Sequence, residues 1–123
     1  MAELVKFFFT LSCKVKLYHW ETKMYSRHKS SDTLFEAVIS LMDKFMEVYQ
    51  GKYGRLQPSD GSFAIQVRSY SDDAMLVYLQ QAALFLTKIE GNYKITSKDS
   101  DLLNIRDELV AAIQQTIYLF SFE

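Results

Sequence analysis

Proline occurs once in this chain, at position 58, and three of the four glycines, Gly51, Gly54 and Gly61, fall in the same short stretch. A proline inside a helix costs about 3 kcal/mol and a glycine about 1 kcal/mol relative to alanine. The segment GKYGRLQPSDGS, Gly51 to Ser62, is therefore where the chain must leave regular structure. On either side lies a stretch of similar length, almost free of such breakers, in which apolar residues recur three and four apart. Each stretch accommodates two helices joined by a short turn. Two helical hairpins closing around one core predict an all-α fold, an antiparallel four-helix bundle occupying residues 1–123 as a single domain.

The composition suits this reading and narrows the function. Hydrophobic residues make up 49% of the chain and aromatics 15%, which excludes a disordered charged tail. Nine Phe, eight Tyr and one Trp supply more large apolar surface than a minimal bundle needs. The excess predicts a homo-oligomer, a dimer or a larger shell, with contact expected on the first helix around Phe8, Ser12 and His19. The formal net charge is −1 and no block of five basic residues occurs, which disfavours nucleic acid as a partner. Lys52 and Arg55 read as exposed charges following a helix. Cys13 alone cannot close an intrachain disulfide, so an oxidising compartment is not required. The opening MAELVKFFFTLSCKVK is interrupted by polar residues well short of the roughly 18 apolar ones that a membrane span needs. The expected location is the cytoplasm, or a particle assembled there.

Helices are expected over about 3–25, 33–50, from after Ser71 to near Gly91, and 100–120. Thr33 and Glu36 are spaced as a capping box, Gly51 is the stop of the second helix, and Asp72 and Asp73 suit the start of the third. Residues 63–70, FAIQVRSY, alternate apolar and polar and read as either an extended stretch or a helical turn. At about 100° per residue, the second helix turns Leu34, Val38, Leu41, Phe45, Val48 and Tyr49 to one apolar face. Glu36, Ser40, Asp43, Glu47 and Gln50 form the opposite, polar stripe. On the first helix His19 falls on the apolar side near Phe8, Leu11, Ser12 and Val15, with Trp20 expected as a core anchor. The fourth turns Leu102, Leu109, Val110, Ile113 and Ile117 inward, and the third is apolar nearly all round.

Both histidines of the chain lie between residues 19 and 47, in company with acids: His19, His28, Asp32, Asp43 and Glu47. Asp43 and Glu47, four apart on a helix, project side by side. They could share a hard divalent cation or simply form a solvated face. Mixed imidazole and carboxylate donors suit iron, or another divalent metal such as manganese.

The ordered set HW…H…D…D…E, carried here by His19-Trp20, His28, Asp32, Asp43 and Glu47, resembles the miniferritins, the starvation-induced DNA-binding branch of the ferritin-like superfamily. The interval from His19 to His28 is shorter than in that family, so the hinge between the first two helices must differ. With HWETK from His19 to Lys23 and NIRDE from Asn104 to Glu108, the chain is also similar to short ferritin-like proteins of phages and large DNA viruses. The resemblance implies a ferritin-like bundle with an iron site between two subunits, where ferrous ion is oxidised by peroxide or oxygen. His19 and His28 would be neutral imidazole ligands, Asp43 and Glu47 anionic ligands from the twofold mate, and Asp32 a ligand or an orienting partner. The competing expectation is a non-catalytic viral accessory or virion protein that keeps the bundle without the chemistry.

Overall fold

The computed structural model describes residues 1–122 and contains four α-helices: α1 Ala2–Glu21, α2 Tyr25–Tyr53, α3 Asp72–Thr87 and α4 Ser100–Leu119. A short 3-10 turn, Pro58–Gly61, interrupts the connection between α2 and α3. No strand occurs among the described residues. Among the described residues no helix is long and apolar enough to cross a membrane.

The bounds of α3 and α4 come out close to expectation at their starts, and that of α2 does not. Ser71 caps α3 by accepting the Ala74 N–H at 3.1 Å, with Asp72 and Asp73 in the first turn. α2, by contrast, begins at Tyr25, well before Thr33. The run of Ser and Thr that reads as a cap folds its hydroxyls back onto the preceding turn: Ser30 Oγ donates to the Arg27 carbonyl, Ser31 Oγ to that of His28 and Thr33 Oγ1 to that of Lys29. Such back-bonding lets these residues sit inside a helix instead of starting one. Gly51 lies within α2, and the helix stops at Gly54, whose φ of 99° is the left-handed conformation that a side chain would oppose. α3 ends at Thr87, ahead of Gly91. Residues 63–70 adopt neither helix nor strand.

The core runs the length of the molecule. Leu4, Leu11 and Val15 of α1, Leu34 and Val38 of α2, Met75 and Leu79 of α3, and Leu102 and Ile113 of α4 are essentially inaccessible. Phe45 and Leu109 are buried as expected, whereas Leu41 is only partly covered. Trp20 is the main correction: expected in the core, it is 67% exposed. Phe8 and Ser12, expected at a subunit contact, are already buried within their own chain.

Side-chain pairings fix how the helices meet. His19 and Lys16 of α1 reach His28 and Asp32 of α2, and Phe8 reaches Phe45. Phe7 stacks on Phe85 of α3, while Tyr18 donates to Asp72 at the start of that helix. At the two ends of the molecule the polar groups form distinct clusters. At one end the buried Arg27 donates to the Tyr18 hydroxyl, the Asp72 carbonyl and the Phe120 carbonyl, and its guanidinium lies over the Phe120 ring. At the other end Lys52 bridges Asp99 and Asp101, at 2.6 and 2.7 Å, and the Tyr53 hydroxyl donates to Asp99. Arg106 of the NIRDE run donates to the Leu86 carbonyl, completing the C-terminal end of α3, while Ile105 faces the core.

Two outcomes test this packing. Phe45→Ala should cost about 3 to 5 kcal/mol in urea unfolding, because a fully buried ring leaves a cavity. The Lys52 ammonium, the Thr96 backbone N–H and the Tyr53 hydroxyl hold the Asp99 carboxyl well below the usual carboxylate range. The carboxylate therefore stabilises the fold at pH above the unfolded-chain value of 3.8, and that contribution fades as pH falls below it toward the depressed folded value. The difference in urea midpoint between the native chain and Asp99→Asn should be constant from neutral pH to about pH 5 and shrink steadily below about pH 4.

Candidate metal centre

Only three residues, Thr22 to Met24, separate α1 from α2. This short hinge is what brings the two histidines together: His19 lies in the last turn of α1 and His28 in the first turn of α2. Their rings stack with centroids 4.0 Å apart and planes 15° from parallel. Each ring bonds the other residue's backbone: His19 Nδ1 lies 2.6 Å from the His28 carbonyl and His28 Nδ1 lies 2.8 Å from the His19 carbonyl. A carbonyl oxygen can only accept, so both Nδ1 atoms carry hydrogen and donate. In the neutral imidazoles the lone pair then resides on Nε2 in both rings. Backbone carbonyls holding Nδ1–H in this way are the usual support of a metal-ligating histidine.

Asp32, one turn further along α2, places Oδ1 3.9 Å from His19 Nε2. That is too long for a hydrogen bond, yet two donors sharing one cation through bonds of about 2.1 Å stand roughly 3 to 4 Å apart. The same oxygen accepts from Lys16 Nζ at 3.1 Å, and this bond is the main reason the Asp32 carboxyl titrates below its ordinary value. A cation at this position would have to displace or share with Lys16. The histidines and Asp32 line an open cleft of about 600 Å³ with Ser26, Lys29 and Phe122.

Asp43 and Glu47 do not join them. Asp32 and Asp43 are separated by eleven residues of unbroken helix, about 16 Å, and His28 and Glu47 by nineteen, about 28 Å. Asp43 borders an apolar groove with Phe9, Met42 and Met46, whereas Glu47 lies beside Gln50 and Arg55. Both are exposed, on the side of α2 away from its core residues. Among the described residues no three His, Cys, Asp or Glu side chains of one chain gather into a metal-binding group. The five candidate ligands therefore form two separate clusters within a single chain, one of them a histidine pair with a nearby acid.

The cleft is ringed by exposed aromatics that the pattern of the sequence did not single out. Tyr25 is 73% exposed and its ring lies 6.3 Å from that of His28. Tyr118 and Phe122, in edge contact with each other, are likewise open to solvent. Expected helices over 3–25 and 33–50 leave Tyr25 at the end of the first and His28 in a loop. A start at Tyr25 would have put both on one helix beside the end of α1. Arg27 was also missed, since nothing in its local sequence distinguishes a buried guanidinium from a surface one.

No solved structure matches the chain. It is 51% identical over 37 residues to a protein of Enterobacteria phage T4 described as "Uncharacterized 14.6 kDa protein in mobD-ri intergenic region". That match covers 30% of this chain and 29% of the phage protein, so less than a third of either is related in this way. A family model described as "Family of unknown function (DUF5856)" matches residues 19–120, a span that starts at His19 and takes in α2, α3 and α4. The chain belongs to the DUF5856 family.

Proposed function

We propose that the chain is an antiparallel, ferritin-like four-helix bundle that binds iron between two copies and oxidises ferrous ion there, as the miniferritins do. The observation that carries this reading is the reciprocal bonding of His19 and His28, which leaves a lone pair on each Nε2. The sense of the helices agrees with it, since late residues of α1 meet early residues of α2 and α3, and the end of α2 meets the start of α4. So does the division of the donors. One chain offers two imidazoles and Asp32 at one end of α2 and two exposed acids further along it, and a twofold mate running the other way would bring the second set to the first.

In this reading iron is the substrate, with dioxygen or peroxide as the oxidant that accepts its electrons. The residues of the chain do the positioning. The His19 and His28 carbonyls hold the imidazoles in one tautomer, and Asp43 and Glu47 add the negative charge that favours ferric over ferrous ion. The short match to a phage protein and the exposed aromatics favour a second reading, a non-catalytic viral accessory or virion protein that uses the same face only for assembly.

Trp20 is the only tryptophan, exposed and next to His19 in sequence, so its fluorescence reports the end of α1 from which His19 projects. Dilute chain should show red-shifted, readily quenched emission, and raising the concentration until sedimentation detects a dimer should shift it to the blue and protect it. Dimerisation with no change in Trp20 would put the contact elsewhere. Changing Asp43 and Glu47 together to Asn and Gln should abolish ferrous-ion oxidation and the rise in melting temperature with added metal, leaving the metal-free melting temperature within a few degrees. Oxidation unaltered by the double substitution would eliminate the intersubunit site, and absence of any oxidation in the native chain would leave the accessory reading.

A further inference from the structure

The connection from Gly54 to Ser71 is longer than the roughly 12 to 15 residues at which an irregular loop inside a compact domain calls for a reason. Its second half is anchored along α1. The Phe63 ring lies 6.1 Å from that of Phe9, Ser69 Oγ donates to the Glu21 carboxylate, and the Tyr70 hydroxyl accepts from Lys14. Phe9 and Glu21 are twelve residues apart on α1, about 18 Å along its axis. From Ser62 to Tyr70 the backbone makes no helical turn, hydrogen-bonded turn or bend, and so runs as an extended segment. The strap crosses the outward side of α1, the side that carries the exposed Phe9, Cys13 and Trp20. Among the described residues, no backbone N–H or carbonyl from Phe63 to Tyr70 is bonded to another backbone group.

We infer that this strap is a strand lacking its neighbour, and that the neighbour is the same strap of a second copy, paired antiparallel about a twofold axis at Gln66. An extended segment with free backbone donors and acceptors is a template for strand addition. The sequence fits its own reverse. With Gln66 opposite Gln66, Ile65 faces Val67, an apolar β-branched pair, and Arg68 faces Ala64, so no like charges meet. A two-stranded ribbon by itself is marginal and needs an apolar surface to lie on. Phe9, 43% exposed and packed against Phe63, supplies one beside the strap, and it is among the large apolar residues that the isolated chain leaves in water. The pairing is a statement about the strap alone and holds whether or not the chain handles iron.

Directly opposed residues of an antiparallel pair have Cα atoms about 4.5 to 5.5 Å apart, within the range a disulfide spans. In a Cys13→Ser background, Gln66→Cys should form a covalent dimer in a glutathione redox buffer at least ten times faster than Ala64→Cys alone. A mixture of Ala64→Cys and Arg68→Cys chains should crosslink as fast as Gln66→Cys. The same ladder should appear when Asp43→Asn and Glu47→Gln are also present, which separates this contact from the metal reading. Equal rates at all positions, or a Gln66→Cys chain that sediments as a dimer while its introduced thiols stay free, would overturn the pairing. So would a strap that crosslinks in no combination because an extended segment of another protein is its neighbour.

Discussion

One guanidinium ties the ends of all four helices together. Arg27 is buried and has no carboxylate within ion-pair distance among the described residues, so its charge is met by oxygens that the fold itself must deliver. These are the Tyr18 hydroxyl from α1, the Asp72 carbonyl from the first turn of α3 and the Phe120 carbonyl at the end of α4. The last of these is one of the carbonyls a helix C-terminus leaves without an internal partner, and a cation there also meets the negative end of the helix dipole. Its Nε, buried without a bonding partner among the described residues, marks where this arrangement is least complete. Burial, followed by the adjoining Asp72 carboxylate, raises the Tyr18 phenol above its ordinary value and so keeps that hydroxyl protonated as the link between Arg27 and Asp72. The stacked histidines sit one residue away along each chain direction from this clamp, His19 after Tyr18 and His28 after Arg27. The polar clamp and the imidazole pair are thus two faces of one junction, and the geometry of the second depends on the rigidity of the first.

Much of the architecture was legible because it rests on spacing. The recurrence of apolar residues identified four helices and most of their inward residues, Val38, Phe45, Leu109 and Ile113 among them. What spacing could not decide was where α2 begins. Ser30, Ser31 and Thr33 carry the composition of a helix start, and only the surrounding structure determines that their hydroxyls turn backward onto carbonyls. That single displacement moved His28 from a loop to a helix and brought Tyr25 next to it. Trp20 failed for a related reason: large aromatic rings follow the hydrophobic face on average, and the residue beside His19 points outward because His19 itself takes the inward position.

The candidate site was legible as a set of residues but not as a place. Composition and order singled out His19, His28, Asp32, Asp43 and Glu47, and the hinge at Thr22 to Met24 unites the first three. The NIRDE run has a structural explanation that does not involve chemistry, with Ile105 in the core and Arg106 finishing α3. Tyrosines carry a similar load at the far end, where Tyr49 donates to the Tyr93 carbonyl and Tyr53 to Asp99, securing a turn in which Tyr93 and Lys94 both have positive φ.

The length of α2 has a consequence of its own. At 29 residues it extends about 43 Å, and the imidazole end and the acidic end occupy fixed marks along it, as on a ruler. Two such rulers laid head to tail would create two equivalent centres, one at each end, separated by about fifteen helical residues or some 22 Å. Electrons do not pass readily over that distance without a relay. Each centre would therefore have to gather its own reductant and dispose of its own product, and a dimer would behave as two independent reactors on a common frame.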